Sequence, residues 1–398
     1  MRLPIAGLVA LVRVVTATNP VPLSSVKATA VTNMTESSDS TSKLRRFAVT
    51  GTPGGPASKE FSEAVAQILE KRGMARVEDP AQADFVLLLF PTDSPSPFRR
   101  RSRGTYVAAL HELEEMPSDP LAAEYPLLVR ALANSVLCYV PGKAVLVTTP
   151  ERGTFTAEAP ADELAERLVD RIEPLATSRL VIDNEYVTDL EPELWQGDEL
   201  TKELAWAGEQ LDGFGLLPAP FPVHELLSER EFRHVKRLWG IGGLSYGNLS
   251  IRKDEQRYWM SASGVDKSNL VEIGRDILMV SNYDAEQAKI ILSVPPEVEP
   301  RRVSVDAIEH WMIYQRHPEV GAILHVHAWL EGAAATEINF PCGTEELAIA
   351  VSSLLDAEDD PGHAVIGLRN HGITATGENL REIIERITPR LQPQVPMT

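Results

Sequence analysis

Cysteine is scarce in this chain. Cys138 and Cys342 are the two among 398 residues, and they form neither a CxxC pair nor a disulfide framework. A reducing compartment, most simply the cytoplasm, is the expectation. Long apolar runs are missing too. The N-terminal stretch from Ile5 to Val15 is too short to span a bilayer and is broken by Arg13. Basic residues are outnumbered 38 to 57, for a net charge of −19. That balance argues against general nucleic-acid binding and against a membrane partner held by charge. The glycine-rich loop Gly51-Thr52-Pro53-Gly54-Gly55-Pro56 lacks both the Gly-Lys-Ser/Thr ending of a P-loop and GxGxxG spacing, so a plain turn is expected there. There is no internal repeat and no heptad pattern.

What is present is an ordinary globular composition, 43% hydrophobic and 24% charged, in a chain long enough for two domains. Residues 1–43 read as a disordered leader. Its start faintly resembles a signal peptide without a convincing cleavage site, and Met34 offers an alternative start. Strand-like runs at Arg45–Thr50, Asp84–Phe90, Tyr106–Leu110, Ser135–Val140 and Ala144–Thr148 alternate with helical spacing at Lys59–Arg72, Tyr125–Asn134 and Ala161–Ile172. They predict a small open-sheet α/β domain over 44–178. Arg99-Arg100-Arg101-Ser102-Arg103 reads as a solvated basic loop. Residues 179–224 read as an acidic connector, 225–390 as a second α/β domain, and 391–398 as a Pro-rich tail.

The chemistry concentrates in the second domain. His325 and His327 lie in an apolar run, Val320 to His327, that reads as a strand, and side chains at i and i+2 share a strand face. Such a pair either hydrogen-bonds to its neighbours or converges on an ion. His371, between the strand-like run Ala364–Leu368 and Gly372, could be a third ligand. Three histidines with an open position are the pattern of a catalytic zinc site. Upstream stands Asp306, ahead of a helical stretch from Ala307 to Arg316. It is either an N-cap or a proton-transfer group there.

Three segments, in order, resemble the class II aldolase/adducin family. They are Gly247-Asn248-Leu249-Ser250 with Ser261-Ala262-Ser263-Gly264-Val265-Asp266-Lys267, then Ser304-Val305-Asp306 followed by the His-x-His, then Asn370-His371-Gly372. The resemblance implies an α/β/α layered fold for 225–390. It also implies a divalent metal, zinc or manganese, on His325, His327 and His371, with Asp306 as acid/base. Gly247, Asn248, Ser263, Gly264 and Ser304 would contact an anionic substrate group. Val305 stands where the family has a second serine, which implies weaker dependence on phosphate.

The implied activity is metal-dependent retro-aldol cleavage of a sugar or keto-acid type substrate. A sugar 4-epimerase using the same chemistry and a non-catalytic adducin-like scaffold are the alternatives. The family builds its site between subunits, so a homo-oligomer, a tetramer by resemblance, is expected. The family's late-helix tyrosine is missing: no tyrosine follows Tyr314. His310, one helical turn beyond Asp306, is expected to be structural or to support the site from behind.

Overall fold

The computed structural model describes residues 45–91, 95–101, 105–216, 219–239 and 246–398. The leader expected over 1–43, with Met34, and Ser102 and Arg103 of the basic loop lie outside the described residues. The first unit contains β1 (Arg46–Gly51), α1 (Pro56–Lys71), β2 (Ala75–Arg76), β3 (Phe85–Leu89), β4 (Tyr106–Glu112), α2 (Pro120–Ala131), β5 (Ser135–Val140), β6 (Ala144–Thr149), β7 (Gly153–Glu158) and α3 (Leu164–Thr177). Its sheet runs β2-β1-β3-β4-β5-β6-β7. β1 to β5 pair in parallel, and β6 and β7 add as antiparallel hairpins. The parallel strands read as unbroken apolar runs because both faces are covered. Residues of α1 and α3 pack with one face, those of α2 with the other.

The glycine-rich loop is the plain turn its sequence predicted. α1 follows it, and Ser58 N–H at its N-terminus donates to Glu112 Oε2 at 2.7 Å. A side chain from β4 therefore already supplies the negative charge that a helix start attracts. α2 begins five residues before its apolar spacing suggested. Pro120 occupies the first turn and Asp119 accepts from Ala122 N–H. Leu132, with φ 52°, ends it. β7 is absent from the strands read in the sequence although it alternates, Phe155 and Ala157 entering the core between Thr154, Thr156 and Glu158.

The second unit contains β8 (Asp183–Val187), α4 (Glu199–Gly213), α5 (Val223–Leu226), α6 (Glu229–Trp239), β9 (Gly247–Arg252), β10 (Tyr258–Ser261), β11 (Ile277–Asp284), β12 (Lys289–Ser293), α7 (Ala307–Arg316), β13 (Ala322–Val326), β14 (Ala334–Ala335), α8 (Glu345–Leu355), β15 (Val365–Leu368), β16 (Gly372–Gly377) and α9 (Leu380–Ile387). Its nine strands run β14-β15-β16-β13-β9-β10-β11-β12-β8. α7 packs with α8, and α4 with α9. The stretch expected as a connector, 179–224, supplies structure to both units. β8 joins the second sheet beside β12, Leu204, Ala207 and Leu211 of α4 enter the second core, and Phe221 and Val223 enter the first. β8 is polar in sequence and is held by its ladder with β12 and by Asn184 Oδ1, which accepts from Val303 N–H.

The two units touch through buried polar contacts. Arg171 of α3 donates to Asn339 Oδ1 at 2.8 Å, and Asn370 Nδ2 donates to the Thr154 carbonyl at 3.3 Å. The tail beyond 390 packs into this junction: Gln392 bridges Trp329, Val395 is buried, and Thr398 N–H donates to Asn370 Oδ1.

Candidate metal centre

β13 lies between β16 and β9, so His325 faces a cross-strand partner on each side, Thr374 on β16 and Asn248 on β9. Directly opposed residues share a sheet face. The row Asn248–His325–Thr374 is matched by α7, which brings a carboxylate to each end of it. Asn248 Nδ2 donates to Asp306 Oδ2 at 2.7 Å, and Thr374 Oγ1 donates to Glu309 Oε1 at 2.5 Å.

His327 continues past the end of β13, its N–H bonded to Tyr246 O. His371 closes the turn from β15 to β16. Its N–H donates to Leu368 O at 2.9 Å, and Asn370 takes the left-handed conformation at φ 59°. Gly372 serves a different need from the turn its sequence suggested: a Cβ there would meet Val326 O at 2.1 Å. Gly247 has the same constraint, since a Cβ on it would stand 2.1 Å from His325 O.

One ligand-type nitrogen from each of His325, His327 and His371 lies within 4.8 Å of the others. The His325 and His371 rings stack at 5.0 Å, and His327 stands at 4.6 Å from His371 and 5.4 Å from His325. His325 Nδ1 donates to Ile373 O at 3.0 Å, which leaves Nε2 as the lone-pair nitrogen, and that atom is buried without a hydrogen-bond partner. His371 Nδ1 is likewise buried without one. Burial pushes His325 down to about 3 and His371 well below the usual imidazole range, so both rings are neutral donors. Unsatisfied buried nitrogens are costly unless something accepts their lone pairs. These three residues fit a divalent ion.

Asp306 stands at the N-cap position of α7 but makes no capping bond. Burial raises its pKa, against the pull of His327, Arg152, Asn248 and Lys267. Glu309 is pushed up to about 8 by burial and by Asp306. Sequence reasoning missed Glu309, because an isolated glutamate in a helix reads as solvated. It also missed Lys267, which is buried, makes no ion pair among the described residues and is lowered to about 8 by burial. His310 takes the supporting position: Ser250 Oγ lies 2.7 Å from its Nδ1 and 2.8 Å from Tyr314 OH.

Of the residues expected to hold an anion, Asn248 donates one amide N–H to Asp306. Ser263 and Gly264 are exposed at a turn, and Ser263 N–H donates to Arg302 O. Ser304 is buried beside Asp306, with its N–H directed to Ser261 O. A second histidine-containing group lies in the first unit, where His111 Nε2 meets Glu124 Oε2 at 2.8 Å near Cys138. Burial and Glu124 raise the Cys138 thiol.

Residues 232–337 match the family model of the Class II Aldolase and Adducin N-terminal domain. The chain is 28% identical over 167 residues to methylthioribulose-1-phosphate dehydratase of Xanthomonas campestris pv. campestris (strain 8004), covering 34% of this chain and 70% of that protein. It is 29% identical over 206 residues to the protein of the same name from Xanthomonas euvesicatoria pv. vesicatoria (strain 85-10), covering 41% and 86%. Among solved structures, an L-fuculose 1-phosphate aldolase overlaps 48% of this chain and 83% of its own, at 19% identity and a TM-score of 0.33. By the family model, residues 232–337 in the C-terminal part of the chain are a class II aldolase/adducin domain, and that match with the dehydratase relatives supports an enzyme of that superfamily.

Proposed function

We propose that this class II aldolase/adducin domain is a divalent-metal-dependent lyase, and that it breaks the bond β to a carbonyl in a small sugar-like or keto-acid substrate. The observation that carries the reading is the row Asn248–His325–Thr374, which sets a carboxylate at each end beside a cluster of three imidazoles. His325, His327 and His371 would hold the ion, and neutral nitrogen ligands suit zinc, with manganese as the alternative. A bound ion of this kind supplies polarisation of a carbonyl oxygen, leaving the protein's own groups to move protons.

Asp306 is the proton-transfer group. Its bond from Asn248 fixes one oxygen and leaves the other for the reacting centre. Glu309, held protonated into neutral pH, is the second proton store of the site. Carbon–carbon cleavage by a retro-aldol step needs one group to take a hydroxyl proton and return it to carbon. Elimination of water needs one carboxylate to take a proton from carbon and another to give one to the leaving hydroxyl. The paired carboxylates favour elimination as the second reading, and relatives named as dehydratases support it. A homo-oligomer in the cytoplasm completes the proposal.

Purified protein should be assayed for metal and then incubated with methylthioribulose-1-phosphate and with L-fuculose 1-phosphate. Aldehyde release identifies cleavage, and loss of water without aldehyde identifies elimination. Turnover that needs no metal and survives His325→Ala refutes the metal-dependent reading, and absence of turnover of either substrate by metal-loaded protein counts against the lyase reading.

A further inference from the structure

The turn between β6 and β7 reaches out of the first unit and into the metal centre of the second. It consists of Pro150, Glu151 and Arg152, with Thr149 paired to Gly153 across its base. Arg152 is 2% exposed. Its Nη1 donates to the carbonyl of Arg369, two residues before His371, at 3.3 Å. Its Nη2 lies 3.7 Å from Cys342 Sγ, and that sulfur lies 3.3 Å from His371 Nε2. Its Nε is buried with no hydrogen-bond partner. A guanidinium carries five N–H groups in a rigid fork matched to two oxygens of one anion. Here that fork has one carbonyl and one soft sulfur, and among the described residues it makes no ion pair.

The turn is held from several sides. Tyr125 OH donates to Pro150 O at 2.7 Å, Thr148 and Thr154 hydroxyls meet at 2.7 Å, and Asn370 Nδ2 reaches Thr154 O. Gly153 adopts φ +60°, with Phe221 and Met397 packed where a side chain would go. Among the described residues no carboxylate forms an ion pair with this buried cation, although the charge of Glu151 in the same turn acts on it through space, and its Nε remains open to an anion's oxygen. Cys342, which Nη2 approaches, touches His371, so the guanidinium lies beside the histidine cluster.

We propose that Arg152, delivered in cis by the N-terminal unit, is the residue that binds the substrate's oxyanion, a phosphate ester or a carboxylate, at the C-terminal metal centre. The catalytic meaning of this assignment rests on the lyase reading. The binding itself does not, and can be tested without turnover. The first unit is then half of the substrate site, and one bidentate fork supplies donors where Val305 lacks the family's second hydroxyl.

The test is calorimetric titration of the full-length protein with inorganic phosphate and with oxalate. It is run on metal-free protein, so that direct binding to an ion cannot supply the signal, and again with zinc. Wild-type protein should bind at least one of the two anions, and the tighter one names the substrate's group. Arg152→Met and Arg152→Gln should each weaken it by about tenfold or more, the loss of a charge-assisted hydrogen bond. Both variants should keep the wild-type zinc content and the wild-type circular dichroism spectrum, which separates loss of binding from loss of fold. Failure of wild type to bind either anion overturns the proposal. So do unchanged anion affinity in the variants and a marked fall in melting temperature with unchanged affinity, which would make Arg152 a structural strut. Failure to bind zinc or manganese together with Arg152-dependent anion binding would sink the metal-dependent lyase reading and leave the anion-binding assignment standing.

Discussion

Asn248 donates its side-chain amide to Asp306 Oδ2 at 2.7 Å, across the gap between β9 and the start of α7. That bond holds the carboxylate away from the backbone amides of its own helix, which it would otherwise cap. Position and contact come apart here: Asp306 is the cap residue of the helix by position, and its side chain meets Asn248, the cross-strand neighbour of His325. Asn248→Ala frees the carboxylate to turn back to the helix. It should lower turnover by about tenfold or more, the scale of one hydrogen bond to a charged group, while metal content stays the same. Parallel kcat and metal measurements check this. An unchanged kcat counts against the positioning role.

Removing single imidazoles tests the ion site directly. Wild-type protein should hold about one zinc per chain. His325→Ala and His371→Ala should each lose most of it, since a three-ligand site cannot spare one. Elemental analysis after dialysis reads the outcome, and retention of full metal by either variant excludes that residue as a ligand.

Asp306→Asn keeps the shape of the side chain and removes its ability to take a proton. Fold and metal content should survive, and turnover should fall by about 10²–10⁴-fold, the usual contribution of a positioned acid or base. Circular dichroism, metal analysis and a rate assay together separate loss of chemistry from loss of structure.

Glu309 gives a pH signature. Its pKa in the folded protein, about 8, lies above the ordinary carboxylate value because of burial and the neighbouring Asp306. The folded state therefore keeps a proton that the unfolded chain releases. Stability is greatest below the unfolded pKa, falls as pH rises, and levels off above about 8. Chemical denaturation of metal-free protein from pH 5 to 9 (roughly the span on either side of that shift) should show this decline. Glu309→Gln should flatten it. A slope that is identical in the variant rules Glu309 out as its source.

Gly247 and Gly372 let β9 and β16 approach β13. In Gly247→Ala the new carbon would stand 2.1 Å from the His325 carbonyl, at a φ of 150°. Backbone must move, at a cost on the order of 2–3 kcal/mol. Thermal melting should show that loss, accompanied by weaker metal retention, because the displaced strand carries His325. An unshifted melting temperature would mean the strands have room to part.

The histidine cluster was legible because its signal is local. His325 and His327 are two residues apart in an apolar strand, and that spacing alone fixes a shared face. His371 is recognisable from the strand before it and the turn around it. Glu309 and Lys267 were not legible, since their importance lies in burial by elements distant in sequence. Arg152 is the extreme case: a lone arginine in a Pro-Glu-Arg-Gly turn looks like any exposed loop tip. Only the docking of two separate sheets brings it to His371. The parallel strands of the first sheet were readable from their apolar runs, whereas β8, written Asp-Asn-Glu-Tyr-Val, carries no such pattern and is made a strand by β12.

The position of β8 sets where this protein can be cut. It pairs along the whole of β12, from Lys289 to Ser293, and closes that end of the nine-stranded sheet. A fragment beginning at 225, where sequence alone would place the start of the second domain, leaves β12 with a row of unpaired amides and carbonyls. An open edge of this kind templates pairing between copies. Such a fragment is expected to self-associate through β12, whereas one beginning near 179 carries its own edge guard.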